Sequence, residues 1–164
     1  MRVNLPLSQD VLRNTKQIET CAFRVGTDDQ SWLDVNNRAF SDHPEQGGWT
    51  KEILQSRQQE PWFSPNGFLL HHVDNKLAGF CWTKLHLETQ PVLGEIYVIA
   101  VEPDFAGRGL GRSLAVAGLQ HLAKLGTTVG MLYVDNQNSI ALNMYTDLGF
   151  TSHHQQCAFV GDVH

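Results

Sequence analysis

Apolar positions along the chain alternate between a period of two and a period near 3.6, and the switches mark the elements. Thr20 to Val25 reads as a first strand. Trp32, Leu33, Val35, Asn36, Ala39 and Phe40 then recur at helical spacing, and Thr27 with Gln30 forms a capping-box pattern ahead of them. Ser41 to Gly48 is a loop by composition, and Thr50 can cap a short helix reaching about Arg57. Phe68–Val73 and Leu77–Leu85 are two apolar runs separated by Asp74-Asn75-Lys76, which predicts a hairpin. A strand over 94–101 follows. A helix over 109–125 has Leu110, Leu114, Ala117, His121 and Leu125 on one face and Gly126 as its stop. Val129 to Val134 is an apolar strand, a motif-bearing helix begins near Asn138, and two short strands are expected through Val160. Residues 1–19 show little periodicity and read as a poorly packed lead-in or a short helix, which leaves 20–164 as a single domain. Strands first, then strand–helix–strand–helix–strand, predict an α/β protein: a central mixed sheet flanked by helices, with a phosphate site at strand ends.

Composition narrows the function classes. The chain has 164 residues, 41% hydrophobic and 18% charged, enough for one ordinary core. A net charge of −5 argues against a nucleic-acid partner, which wants a basic face. No apolar run approaches the roughly 20 residues of a membrane span. The opening Met1 to Ser8 lacks the apolar core of a signal peptide, so a cytoplasmic location is expected. Cys21, Cys81 and Cys157 are odd in number and far apart, which reads as reduced thiols. The adjacent pairs His71-His72 and His153-His154 would point to opposite faces of a strand, so no metal site is expected.

The stretch from Glu95 to Arg112 carries the strongest chemical signal. A β-branched run ends at Pro103, passes through Gly107, Gly109 and Gly111, and enters an apolar-periodic helix. Glycines let a backbone approach a ligand closely, and a helix start offers unpaired N–H groups with a dipole favouring negative charge. Arg108 and Arg112 add positive charge, so the unit reads as a phosphate cradle. No Lys-Ser or Lys-Thr pair follows the glycines, which excludes a P-loop, and their spacing is not that of a dinucleotide fingerprint. A second unit runs from Asn138 to Phe150: Asn138 or Ser139 can cap a helix, Ile140, Ala141, Met144, Tyr145 and Leu148 recur at helical spacing, and Gly149 stops it.

These two units resemble motifs A and B of the Gcn5-related N-acetyltransferases. Motif A asks for Gln or Arg, two free positions, Gly, one free position, and Gly or Ala; residues 106–111 match except that Ala106 stands at the first place. Motif B asks for Asn, Ala three residues on, Tyr four further, and Gly-Phe four further again, which Asn138, Ala141, Tyr145, Gly149 and Phe150 supply at full spacing. A closer resemblance, to the mycothiol synthase family, rests on His43 to Thr50, Glu60 to Phe63, Ala78 to Lys84, Gly94 to Val98 and Leu132 to Asp135, in order. That family has two tandem acetyltransferase-like halves, and this chain resembles the C-terminal, catalytic one.

The resemblance implies a Gcn5-related acetyltransferase fold and acetyl transfer from acetyl-CoA to the cysteinyl amine of a glucosaminyl-inositol conjugate. It implies that Ile99, Ala100, Val101, Ala106, Gly107, Arg108, Gly109, Leu110, Gly111 and Arg112 hold acetyl-CoA, with Asn138, Ser139, Ala141 and Asn143 alongside. Glu45, Lys84, Glu95 and Tyr133 match acceptor-side positions. An amine must lose a proton to attack a thioester, and Glu95 is the expected base, working through a water. The N–H near Ile99 would meet the oxyanion, and Tyr145 would protonate the departing thiolate. The rival readings are acetylation of another small amine or a protein N-terminus, and a non-catalytic acyl-CoA-binding half. The chain is then either a fragment of such a two-half protein, or one whose N-terminal half is replaced by a homodimer partner or a separate acetyltransferase-like chain.

Overall fold

The computed structural model describes residues 1–153. Six strands among them, β1 (Arg2–Asn4), β2 (Cys21–Ala22), β3 (Phe68–Val73), β4 (Lys76–His86), β5 (Leu93–Val101) and β6 (Val129–Met131), form one sheet in the order β1-β6-β5-β4-β3-β2. Neighbours run antiparallel except β5 and β6, which are parallel, so the sheet is mixed as expected. The hairpin between β3 and β4 turns at Asp74 and Asn75, with φ of 50° and 62°, the two positive angles a type I′ turn demands.

Among the described residues five helices flank the sheet: α1 (Gln9–Arg13), α2 (Asp29–Ala39), α3 (Lys51–Gln58), α4 (Leu110–Lys124) and α5 (Ser139–Asp147). Thr50 caps α3 by accepting from the Ile53 N–H, and Asn138 caps α5 by accepting from the Ala141 N–H. α4 and α5 cover one face, where Leu114, Leu119, Leu122, Tyr145, Leu148 and Phe150 pack with Cys81 and Ile96. α4 lies close because Gly118 faces Cys81; a Cβ there would collide with the Cys81 sulfur. The other face is aromatic. Phe23, Phe68 and Trp82 stack in parallel at 4.3 and 4.2 Å, and Trp32 of α2 meets Phe68, Phe80 and Trp82 edge-on.

Several expectations change in the folded chain. The first nineteen residues do contain a short helix, but they also supply strand β1, and Val3, Leu5 and Leu7 are buried in the α4 core. Three alternating apolar residues are too few to register as a periodic segment. The first strand shrinks to Cys21–Ala22, and α2 starts behind Asp28 with no side-chain cap, so Thr27 and Gln30 form no capping box. On α4 the buried line is Leu110, Leu114, Gly118 and Leu122 with Ala115 and Leu119, not the line through Ala117 and His121; Leu125 is 55% exposed. Glycine and alanine hide the true face because their role is close approach. Ile140 is 84% exposed and off the core face of α5. β6 ends at Met131 rather than Val134. Thr151 bridges to Arg2, and the remainder of the two expected final strands lies outside the described residues.

Because Leu5 sits at 7% exposure beside α4 and Gly130, Leu5→Ala should destabilise the protein by about 2–5 kcal/mol. Urea unfolding measures this; a loosely attached lead-in would give a loss near zero.

Candidate active site

The site begins where β5 loses a neighbour. β6 pairs with β5 only at Leu93, Gly94 and Glu95, which face Val129, Gly130 and Met131. Against β4 the register steps from Thr83↔Ile96 to Trp82↔Val98, so Tyr97 is an extra residue, a bulge that bends and twists the strand. Among the described residues β5 therefore has no ladder partner on the β6 side from Ile96 to Val101. Ile99, Ala100 and Val101 lie half-buried along this free edge. An unpaired edge inside a sheet offers backbone N–H and C=O groups to an extended ligand.

The glycine turn lies at the far end of that edge. Glu102 closes a short turn over Pro103–Phe105 by accepting from the Asp104 N–H at 2.7 Å, and it pairs with Arg38. Ala106 is extended, and its N–H donates to the Pro103 carbonyl. Gly107 and Gly109 take φ of 79° and 75°, and a Cβ built on either would meet nothing within 4 Å. The space over the turn is open. Gly109 is the N-cap of α4 and supplies no side-chain cap, so the N–H groups at the helix start, at Leu110, Gly111 and Arg112, keep their capacity for an anion. Gly111 brings the three elements together: its Cβ would lie 3.8 Å from Met144 Sδ of α5 and 4.0 Å from Val101 of β5. The two arginines differ. Arg108 rests its guanidinium 5.0 Å over the Phe105 ring. Arg112 donates from Nε to Thr15 Oγ1 at 3.0 Å, and with Ser113, bonded to the Lys16 carbonyl, it ties the segment after α1 to α4.

On α5, Ala141 packs against the α4 core, while Ser139 and Asn143 are exposed. Tyr145 is 6% exposed, with its ring edge-on to Phe150 at 5.5 Å. Its hydroxyl has no protein hydrogen-bond partner among the described residues. Burial, with Cys81 nearby, pushes its pKa upward, so it stays a proton donor.

Glu95, at 6% exposure, has a partner that the motifs did not name: His86 Nε2 lies 2.6 Å from Glu95 Oε2, and His86 Nδ1 lies 3.0 Å from Glu88 Oε1. Lys84 is the direct cross-strand partner of Glu95. It is not a free surface charge, since its Nζ lies 4.7 Å over Trp62 and 5.6 Å over Tyr97. Arg57 donates to the Tyr97 hydroxyl at 3.2 Å and stands 5.8 Å over Trp49. Glu45 is exposed; its carbonyl accepts from Trp49 Nε1, and it lines an open hollow with Trp49 and Arg57. These contacts form a continuous aromatic and cationic wall from Glu45 to Lys84. Tyr133 follows β6 and is 68% exposed rather than core. His86, Arg57, Tyr97 and Trp62 were missed from sequence. The available signal for His86 was its place two residues from Lys84 on the same strand, which puts both on one face.

Residues 30–150 match the family described as the Acetyltransferase (GNAT) family. The chain belongs to this family. The mycothiol acetyltransferase of Thermobispora bispora is 51% identical over 132 residues, 79% of this chain and 45% of that protein. That of Thermobifida fusca is 49% identical over 143 residues, 82% of this chain and 44% of that protein. The chain thus spans about half the length of the curated relatives it matches. Among solved structures, the ribosomal-protein-S18-alanine N-acetyltransferase of Escherichia coli aligns with a TM-score of 0.67 at 26% identity, over 83% of this chain and 79% of that one. A GCN5-related N-acetyltransferase from Sphaerobacter thermophilus gives 0.70 at 20% identity, over 90% of this chain and 45% of that one.

In this GNAT protein the described residues contain no group of three His, Cys, Asp or Glu placed to hold a metal ion, and no helix long and apolar enough to cross a membrane. Cys81, fully buried next to the Tyr145 cluster, has its thiol pushed from 9.0 up to about 12 by desolvation, so it is no nucleophile at neutral pH. In a protein carrying Cys21→Ser and Cys157→Ser, an aromatic disulfide reagent should leave Cys81 unmodified at pH 8 until urea unfolds the chain. The folded pKa is raised, so this thiol's contribution to stability is complete below about pH 9 and is lost as pH rises toward 12. Urea midpoints measured against pH, with Cys81→Ala as reference, check the sign.

Proposed function

We propose that this chain carries the acetyl-transfer site of a mycothiol acetyltransferase-type enzyme, moving acetyl from acetyl-CoA to the cysteinyl amine of a glucosaminyl-inositol conjugate. One observation carries the reading: the buried Glu95 carboxylate stands at the last position where β5 pairs with β6, beside the cationic aromatic wall and at the start of the free edge leading to the glycine turn. The residues fit acetyl-CoA. The N–H groups of residues 107–112 would hold its pyrophosphate, the edge at Ile99, Ala100 and Val101 its extended arm, and the start of α5 at Asn138, Ser139, Ala141 and Asn143 its flank. Bound there, acetyl-CoA supplies an electrophilic thioester carbonyl.

The chain's own groups do the remaining work. Glu95 accepts the ammonium proton of the acceptor through a water. The N–H at Ile99 faces the developing oxyanion. Tyr145, kept protonated by burial, donates to the departing thiolate. Lys84, Tyr133 and Glu45, together with Arg57 and the rings of Trp62 and Tyr97, offer a polyhydroxylated acceptor both hydrogen bonds and stacking surfaces. The named relatives, about twice as long, support a second acetyltransferase-like unit, in a partner chain or a second copy, completing the acceptor side.

Thiol release from acetyl-CoA by purified protein, measured across a panel of cysteinyl glucosaminides, other small amines and N-terminal peptides, tests the reading. Preference for the cysteinyl glucosaminides is expected; preference for a peptide would replace the acceptor. Tight CoA binding without amine-dependent turnover would instead favour a non-catalytic half. Gly109→Val should weaken CoA binding at least about tenfold in calorimetry, because φ of 75° disfavours a β-branched residue and the side chain would fill the cradle. Unchanged affinity would move the pyrophosphate elsewhere. Tyr145→Phe should lower turnover by about 10²–10⁴-fold with little effect on CoA affinity; wild-type turnover would reduce Tyr145 to packing.

A further inference from the structure

We infer that His86 is the residue that positions Glu95 for proton abstraction, with Glu88 in turn holding His86. This rests on the reading of Glu95 as base. Both ring nitrogens of His86 face carboxylate oxygens: Nε2 to Glu95 Oε2 at 2.6 Å and Nδ1 to Glu88 Oε1 at 3.0 Å. A neutral imidazole donates from one nitrogen only, and ionised carboxylates only accept, so both bonds exist together when the ring is protonated. A cation so placed offsets the cost of an ionised Glu95 whose side chain is only 8% exposed. The hydrogen bond also sorts the two carboxylate oxygens. Oε2 is held by the ring, while Oε1 makes no protein hydrogen bond among the described residues and is the oxygen left for the acceptor's proton.

The local chain is built to hold this arrangement. His86 ends β4, diagonally across the ladder from Glu95, since Lys84 pairs with Glu95 and His86 with Leu93. The His86 carbonyl accepts from the Thr89 N–H and hydroxyl, closing a turn that returns Glu88 to the ring. Glu88 is 72% exposed against 18% for His86, so the array runs from solvent to the buried carboxylate. The Glu88 carboxyl is held below its usual range by its own backbone N–H and by His86, which keeps it an acceptor. The other charged or titratable groups on this side are otherwise engaged: Lys84 over Trp62 and Tyr97, and Arg57 on the Tyr97 hydroxyl. Neither makes an ion pair with Glu95, which leaves His86 as the group that sets its orientation and charge.

The test compares wild type with His86→Leu, His86→Gln and Glu95→Gln, using S-methylcysteinyl glucosaminide as the amine probe and kcat/KM against pH as the readout. Removing a cationic donor makes a carboxylate easier to protonate, so the acidic limb should move to higher pH in His86→Leu, with a loss of about tenfold or more. His86→Gln retains an amide donor and should recover part of the rate without restoring the limb. Proton NMR supplies a readout independent of turnover: a low-field ring N–H of His86 should be present in wild type, absent in His86→Gln and shifted in Glu95→Gln. A His86→Leu profile matching wild type, alongside an altered Glu95→Gln profile, would overturn this inference and leave the base intact. An unaltered Glu95→Gln profile would remove the base, and His86's role with it. In a chain showing no turnover the resonance decides alone, and its insensitivity to Glu95→Gln would sink the proposal.

Discussion

The structure depends on one broken ladder. Among the described residues β5 is paired with β4 along its length but on its other side with β6 for only three residues, and such an edge cannot be left unsatisfied at no cost inside a protein. The bulge at Tyr97 falls two residues beyond the last β6 pair, where extra twist carries β5 away from β6. The opening places a polar backbone edge between two apolar layers. A groove of that kind suits a long ligand with amide groups along its length.

The layers on either side of the opening are built differently, for different purposes. The α4 face is closed by small residues at points of closest approach: Gly118 over Cys81, Gly94 against Leu122, Gly130 against Leu119. This tight packing sets where the N-terminus of α4 stands relative to the end of β5, and so where the glycine turn presents its N–H groups. Arg112 and Ser113 then anchor the N-terminal segment onto the same helix. The opposite face is filled with aromatic rings, whose stacks and edge-on contacts continue outward from Trp82 through Trp62 and Tyr97 to the surface. There the rings carry Lys84 and Arg57 instead of being covered by further apolar side chains. The core of this face is thus continuous with a surface suited to a polar, ring-shaped acceptor.

Glu95 belongs to both layers. Its backbone makes the final β5–β6 pair, and its side chain lies on the aromatic side next to Lys84 and His86. A buried carboxylate is expensive unless partnered, and the partner came from the end of β4, the strand paired with β5, rather than from either motif. The position of Glu95 against Lys84 and His86 is therefore held by the pairing of β4 with β5.

Much was legible in the chain itself. Asn138 and Gly149 at fixed spacing, and Gly107, Gly109 and Gly111 after a β-branched strand, state local needs: a cap, a stop, and positive φ at two glycines of the turn. Such needs are met within a few residues, so order and spacing suffice to read them, and the hairpin at Asp74-Asn75 is read the same way. Only tertiary structure decided the rest. Val3 becomes core because β6 is available to pair with β1, and Leu5 follows it, its N–H donating to the Thr128 carbonyl just before β6, although nothing nearby marks either as part of a strand. The buried side of α4 keeps Leu110 and Leu114 but then runs through Gly118 because the sheet needs room there, which turns the second half of the helix away from the face a hydrophobicity pattern selects. His86 becomes the partner of Glu95 because antiparallel register brings a residue from nine positions away into hydrogen-bond reach. Register and helix–sheet separation come from long-range packing, and a linear pattern does not encode them one residue at a time.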